Sequence, residues 1–124
     1  MSPLAWVAFV AAGALGAPIR YLVDGYVGDH TEGAFPWGTF VVNVTGSLLL
    51  GVLTGLALYH AFPKTPKVVL GTGFCGAYTT FSTFTFETVS LLEEGAVNEA
   101  LLNAAGTTVT CALAAALGLA LASV

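Results

Sequence analysis

Ten consecutive residues, Thr79 to Thr88, carry six hydroxyl side chains and one carboxylate, Glu87, inside an otherwise apolar stretch. The full run reads Gly71-Thr-Gly-Phe-Cys-Gly-Ala-Tyr-Thr-Thr-Phe-Ser-Thr-Phe-Thr-Phe-Glu87-Thr88. At helical spacing Phe81, Phe84, Thr85 and Thr88 share one face. Lipid offers a hydroxyl no hydrogen-bond partner, so this face suits a polar path better than bilayer contact. Phenyl rings have a positive edge. A path lined by Phe edges, Ser/Thr hydroxyls and an amide therefore presents an anion only with donors. A small, strongly hydrated anion needs such donors in place of its water. These residue types select the sign of the charge and leave the anion's identity open.

The same run is poorly suited to an unbroken helix. Gly loses backbone entropy, and Thr is stiff at its first side-chain torsion and competes for backbone hydrogen bonds. The sequence predicts a break near residues 76–80. Carbonyls freed by a break in a membrane must be satisfied by protein, water or an ion. Broken transmembrane helices commonly hold cations that way; the other reading is a Gly/Thr kink capped by neighbouring hydroxyls. Upstream, Asn43, Ser47, Gly51 and Gly55 recur at steps of four, which puts a carboxamide at the head of a small-residue face. Gly51-x-x-x-Gly55 allows close helix approach, and Ala12, Gly16 and Arg20 repeat the spacing earlier in the chain.

The elements that must position these residues are transmembrane helices. Only 8% of the 124 residues are charged, 56% are hydrophobic and the mean hydropathy is +0.88. Soluble domains carry about 25% charged residues. Such a composition excludes a soluble enzyme, a nucleic-acid binder with a basic patch, and a receptor with a separate soluble domain, and no catalytic residues are expected. A spanning helix needs about 20 mostly apolar residues. The chain divides into a single all-α membrane domain, residues 1–124, with helices at about 4–22, 37–60, 68–92 and 97–122. A loop is expected over 24–36 and a Pro-rich turn over 62–67, with Trp37 as an interfacial aromatic. No Lys or Arg precedes Arg20, so the first segment reads as a retained helix rather than a signal peptide. Cys75 and Cys111 read as small hydrophobes. His30 with Asp29 and Glu32 lacks a fourth metal ligand.

Four helices barely enclose a pore, so the chain is expected to work as an oligomer. Lys64 and Lys67 lie in one loop and Arg20 at the end of the first segment, almost no orientation bias by the positive-inside rule. A chain that inserts either way round suits an antiparallel dimer.

Three motifs carry a resemblance. Gly73-Phe-Cys-Gly76-Ala-Tyr-Thr79-Thr-Phe-Ser-Thr-Phe84 is followed by Glu87; Gly13-x-x-Gly16-Ala-x-x-Arg20-Tyr21 and Gly38-Thr39-x-x-Val42-Asn43-x-x-Gly46 precede it in order. Together they resemble the CrcB/Fluc family of fluoride channels across all four segments. The resemblance implies a dual-topology dimer of four-helix subunits with helix three broken, in the cell membrane, with two fluoride pores and a central structural Na+. It implies that Phe81 and Phe84 line the pores, that Asn43 is a pore donor, and that Ser82, Thr83 and Thr85 form a polar track. Thr107 is the best match for a hydroxyl on helix four, with Thr108 and Thr110 as competitors. Arg20 matches a vestibule arginine, although an interfacial arginine snorkels in the same way. The backbone carbonyls of Gly76 and Thr79 from each subunit would hold the Na+. Ala77 stands where the family often has a second Gly, which affects packing and not carbonyl ligands. Glu87 is either a cap on the hydroxyl track or part of a vestibule.

The implied function is passive, potential-driven fluoride export across the lipid bilayer. The second subunit is expected to be another copy rather than a paralogue. The alternative is a small proton-coupled multidrug-type carrier, which needs a carboxylate midway along its first helix, where this chain has none. A non-transporting assembly subunit would have no use for the polar run.

Overall fold

Ser2 begins the first helix, its hydroxyl accepting from the Ala5 N–H at 3.1 Å with Pro3 in the first turn, where the missing donor costs nothing. In the computed structural model, which describes Met1–Val124, this helix α1 runs Pro3–Asp29 and passes straight through Pro18. It outlasts the expected end at residue 22, and the expected loop over 24–36 shrinks to residues 30–36. The physical reason lies at its C-terminus. Carbonyls there are taken by nearby groups: the His30 ring Nδ1 lies 2.7 Å from the Tyr26 carbonyl, and the Thr31 hydroxyl donates to that of Val27 at 2.8 Å. Asp24 therefore belongs to a helix rather than a loop.

Helix α2 covers Trp37–Tyr59. A tight connection follows, with Ala61 at φ 52°. Helix α3 spans residues 64–78, because Lys64–Lys67, expected as turn, is already helical. Pro66 falls in its first turn, where helices tolerate proline. Val68–Cys75 winds in wide π-type turns. Thr79, with ψ 159°, and Thr80, at φ −145° and ψ 120°, are extended and end the helix. Helix α4 resumes at Phe81–Glu93, capped by the Thr80 hydroxyl. Gly95, at φ 80°, makes the turn into α5, Val97–Ala122, which has its own wide turns at Leu102–Thr107. There are no strands.

The most extensive pairing is α2 against the C-terminal part of α5. It depends on absent side chains. A Cβ on Gly51 would run into the Ala115 backbone, and one on Gly55 would lie 2.6 Å from the Ala122 methyl. Gly118 returns the arrangement, pressed on the backbone of Leu48 and Val52. Helix α1 packs on α3 the same way, with Gly16 against the Phe74 carbonyl.

Helices α1, α2 and α5 are each long and apolar enough to cross a membrane. Only 20 of the 124 residues are buried, and Leu4, Trp6, Val7, Leu15 and Leu22 of α1 are exposed. Such apolar surface belongs against hydrocarbon. The protein is a multi-pass membrane protein.

Candidate functional site

The break between α3 and α4 is held from α2. The Asn43 side chain donates through Nδ2 to the Thr80 carbonyl at 2.9 Å and accepts from the Thr80 N–H at 2.8 Å. This two-way clamp satisfies both backbone groups of the extended residue. A further bond ties the end of α3 to α2: the Thr45 and Tyr78 hydroxyls lie 2.9 Å apart, and the Tyr78 ring stacks on Phe74. Gly46, between Asn43 and Ser47, admits Thr79; any Cβ there would overlap the Thr79 methyl.

The clamp has an effect on two carbonyls. In a continuous helix the Thr80 N–H would bond the Gly76 carbonyl, and the Thr83 N–H that of Thr79. Here the first is taken by Asn43 and the second by the Thr80 hydroxyl at 3.1 Å. Gly76 and Thr79 thus lose their helical donors together. Both line a groove of about 540 Å³ that also holds Asn43, Phe81, Phe84 and Thr107. The carbonyls are hard oxygen donors suited to an alkali cation. No three His, Cys, Asp or Glu side chains converge in a group that could hold a metal ion.

The Phe81 and Phe84 rings are 6.0 Å apart between centroids, and Phe81 is 77% exposed. The hydroxyls of α4 divide. Thr83 accepts from the Thr80 hydroxyl at 3.0 Å, and Ser82 lies 3.3 Å from it. Thr85 turns back to its own helix, donating to the Phe81 and Ser82 carbonyls. Of the three α5 candidates, Thr108 and Thr110 donate to the Ala104 and Gly106 carbonyls of their own helix. Thr107 alone reaches a side chain, donating to Asn103 Oδ1 at 3.0 Å.

Asn103 is absent from the residues expected from sequence, yet it is fully buried at the centre of a polar chain. Its Nδ2 donates to the Thr88 hydroxyl at 2.9 Å. The signal was present: a carboxamide inside an apolar helix, four residues before Thr107. A second link was also missed. The Thr39 hydroxyl donates to Glu87 Oε1 at 2.5 Å, tying α2 to the one carboxylate of α4's polar run.

Arg20 does not face the large groove. It lines a separate cleft of about 210 Å³ with Asp24, Thr39, Thr80 and Thr83. Gly38 lets Asp24 lie directly against α2. Within one chain, then, Asn43, Gly76, Thr79, Phe81, Phe84 and Thr107 share the large groove. Arg20 and Thr83 share the small cleft, and Ser82 and Thr85 line neither.

The sequence profile of the family described as "CrcB-like protein, Camphor Resistance (CrcB)" matches residues 7–119, which takes in the break and both clefts. The chain belongs to the CrcB-like family. This CrcB-like chain is 49% identical over 122 residues to "Fluoride-specific ion channel FluC 1" of Frankia casuarinae, covering 94% of this chain and 95% of that one. It is 50% identical over 121 residues to the protein of the same name from Symbiobacterium thermophilum, covering 95% and 97%. A third relative of that name, from Streptomyces avermitilis, is 45% identical over 119 residues, covering 96% and 92%. The alignments run nearly end to end, so they include every element of the CrcB-like fold described above.

Proposed function

We propose that this chain is a fluoride-selective channel of the cell membrane and not an enzyme, passing fluoride out of the cytoplasm down its electrochemical gradient. One observation carries the reading: the Thr79–Thr80 break puts the Phe81 and Phe84 rings and the Asn43 amide in a single groove. The names of the relatives support the choice of anion. After the clamp, Asn43 keeps one N–H for an ion, and its orientation is fixed because its oxygen is already engaged. Ring edges from Phe81 and Phe84, the hydroxyl of Thr107 and the hydroxyls around Ser82, Thr83 and Thr85 supply the other positive ends. Arg20 draws anions to the small cleft.

The broken segment supplies the fourth crossing. Helix α3 rises about 22 Å and α4 about 20 Å, so neither alone spans a hydrocarbon core of about 30 Å. Joined at the break, they reach across it. The working unit is an antiparallel dimer, and a second copy of this chain fits better than a paralogue because the charge bias is so weak. The large groove is open in one subunit and lined by groups that lipid cannot serve. A second subunit would cover it.

The residues at the break fit a structural Na+. The released Gly76 and Thr79 carbonyls of each subunit would hold it, and the ion would supply a fixed positive charge that ties the two breaks together. Asn43 and Thr80 keep those carbonyls pointed away from helical pairing.

A proton-coupled multidrug-type carrier is less well supported. The longer α1 now includes Asp24, but near the helix end and beside Arg20's cleft rather than midway along the span. The deciding experiment is ion efflux from liposomes holding the purified protein, with fluoride and chloride compared. Fluoride efflux without chloride efflux is expected; equal fluxes, or neither, would overturn the reading.

A further inference from the structure

Away from both clefts, three aromatic rings meet where the 30–36 loop enters α2. Phe35 and Trp37 have centroids 4.6 Å apart, Trp37 and Phe40 5.4 Å, and Phe35 and Phe40 5.9 Å. They line a groove of about 440 Å³ whose remaining wall is the start of α5, and Glu32 and Glu99 both line it. The chain's three cations, Arg20, Lys64 and Lys67, are not among the lining residues. Two carboxylates and three rings thus line one groove with no cation of the chain's own among the lining residues. Aromatic faces attract ammonium groups, most strongly when arranged as a cage.

The groove has a second compartment. Leu102 and Gly106 also line an adjoining depression with Asn98, Leu101 and Ala105, along the wide turns of α5. A Cβ on Gly106 would meet nothing within 4 Å, so this floor is open. Two exposed side chains that carry N–H donors line the two compartments, Trp37 the first and Asn98 the second. The rings and Glu99 lie near the starts of two membrane-length helices, the depth at which lipid headgroups sit, and Leu102, Gly106 and Thr110 continue the groove along the second helix.

The geometry points to a binding site for one phospholipid with an ammonium-bearing headgroup, such as phosphatidylethanolamine. The ammonium sits over the rings between Glu32 and Glu99. The phosphate takes hydrogen bonds from Trp37 and Asn98, and an acyl chain follows Leu101, Leu102 and Ala105. An anionic lipid without the ammonium would bring its negative charge to the two carboxylates and be disfavoured. This site requires only that the chain span a membrane, so it stands or falls independently of the conducted ion.

The test is native mass spectrometry of the purified protein in micelles holding equal amounts of phosphatidylethanolamine and phosphatidylglycerol with matched acyl chains. Wild type should retain the former about tenfold over the latter, the scale of a few ring–cation contacts. Trp37→Leu and Glu99→Gln should each bring the two close to parity. Tyr26→Leu, which removes another exposed ring, should leave the preference intact. Glu99→Gln alters only a half-exposed carboxyl and keeps the test sound should Trp37→Leu fail to fold. Equal retention by wild type, or an unchanged preference in both groove variants, would overturn the proposal. So would displacement of the retained lipid by choline chloride in water, which would make the site one for free ammonium compounds.

Discussion

Asn43 and Thr80 exchange two hydrogen bonds, of 2.9 Å and 2.8 Å, and together close off the backbone of the residue at which the third rod of the fold comes apart. The side chain replaces the helix ladder at that point. It also decides which carbonyls are left over, since it removes the donor that Gly76 would otherwise have had.

Substitution at Asn43 should therefore separate two roles. Asn43→Ala leaves a buried N–H and C=O of Thr80 unpaired, at about 1–3 kcal/mol each. A lower unfolding midpoint in detergent, together with lost fluoride efflux, is expected. Asn43→Asp keeps the acceptor for the Thr80 N–H and removes the donors, so flux should be abolished while the dimer remains on size-exclusion chromatography.

Phe81 gives the opposite pattern. It is largely exposed within the subunit. Phe81→Ile should change subunit stability by no more than about 0.5 kcal/mol, the usual range for exposed sites. Fluoride efflux from liposomes should nevertheless be lost, because a branched alkyl group has no positive edge.

Asn103 bridges Thr88 and Thr107 inside the bundle. Asn103→Leu should strand the buried Thr107 hydroxyl, while Thr88 keeps its bond to the Phe84 carbonyl, and lower stability by about 1–3 kcal/mol. Thr107→Val leaves the buried Asn103 Oδ1 without its donor and should also cost about 1–3 kcal/mol. Chemical denaturation in mixed micelles of the two variants side by side checks both losses.

Sodium should matter to assembly. Replacing Na+ with a large organic cation should raise the monomer fraction seen by single-molecule photobleaching. Gly46→Ala, whose new methyl must push Thr79 aside, should do the same with sodium present. Insensitivity of the dimer to both changes would remove the carbonyl site.

Much of this was legible in the sequence, for reasons that differ by residue. The all-helical membrane character follows from long apolar runs and scarce charge, because a bilayer leaves the backbone few other options. The break falls inside the Gly76–Thr80 window because Gly and Thr there are weak helix formers. The end of α1 was not legible. Gly25, Gly28 and two aspartates suggest a loop, and the helix continues with His30 and Thr31 taking carbonyls one turn back, a local cap that composition does not encode. Early helicity at Lys64–Lys67 escaped for a related reason: proline in a first turn looks like proline in a loop. Asn103 was not legible because a single amide in an apolar helix does not by spacing alone select Thr88 of the preceding helix as its partner. The division of Arg20 and Thr83 from Phe81 and Phe84 depends on how α4 is rotated after the break, which the clamp sets and helical spacing alone does not.

The open groove beside the break has a consequence for how the molecule comes to exist. A newly inserted chain without a partner carries Gly76 and Thr79, whose carbonyls have lost their helical donors, along that groove. Hydrocarbon serves none of them, so water must follow them in until something better arrives. For the proposed antiparallel dimer, maturation is then an encounter in the plane of the membrane, second order in subunits and governed by how many face each way. On the proposed antiparallel dimer, a cell that inserted every copy in one orientation would accumulate hydrated, unfinished halves, however much protein it made.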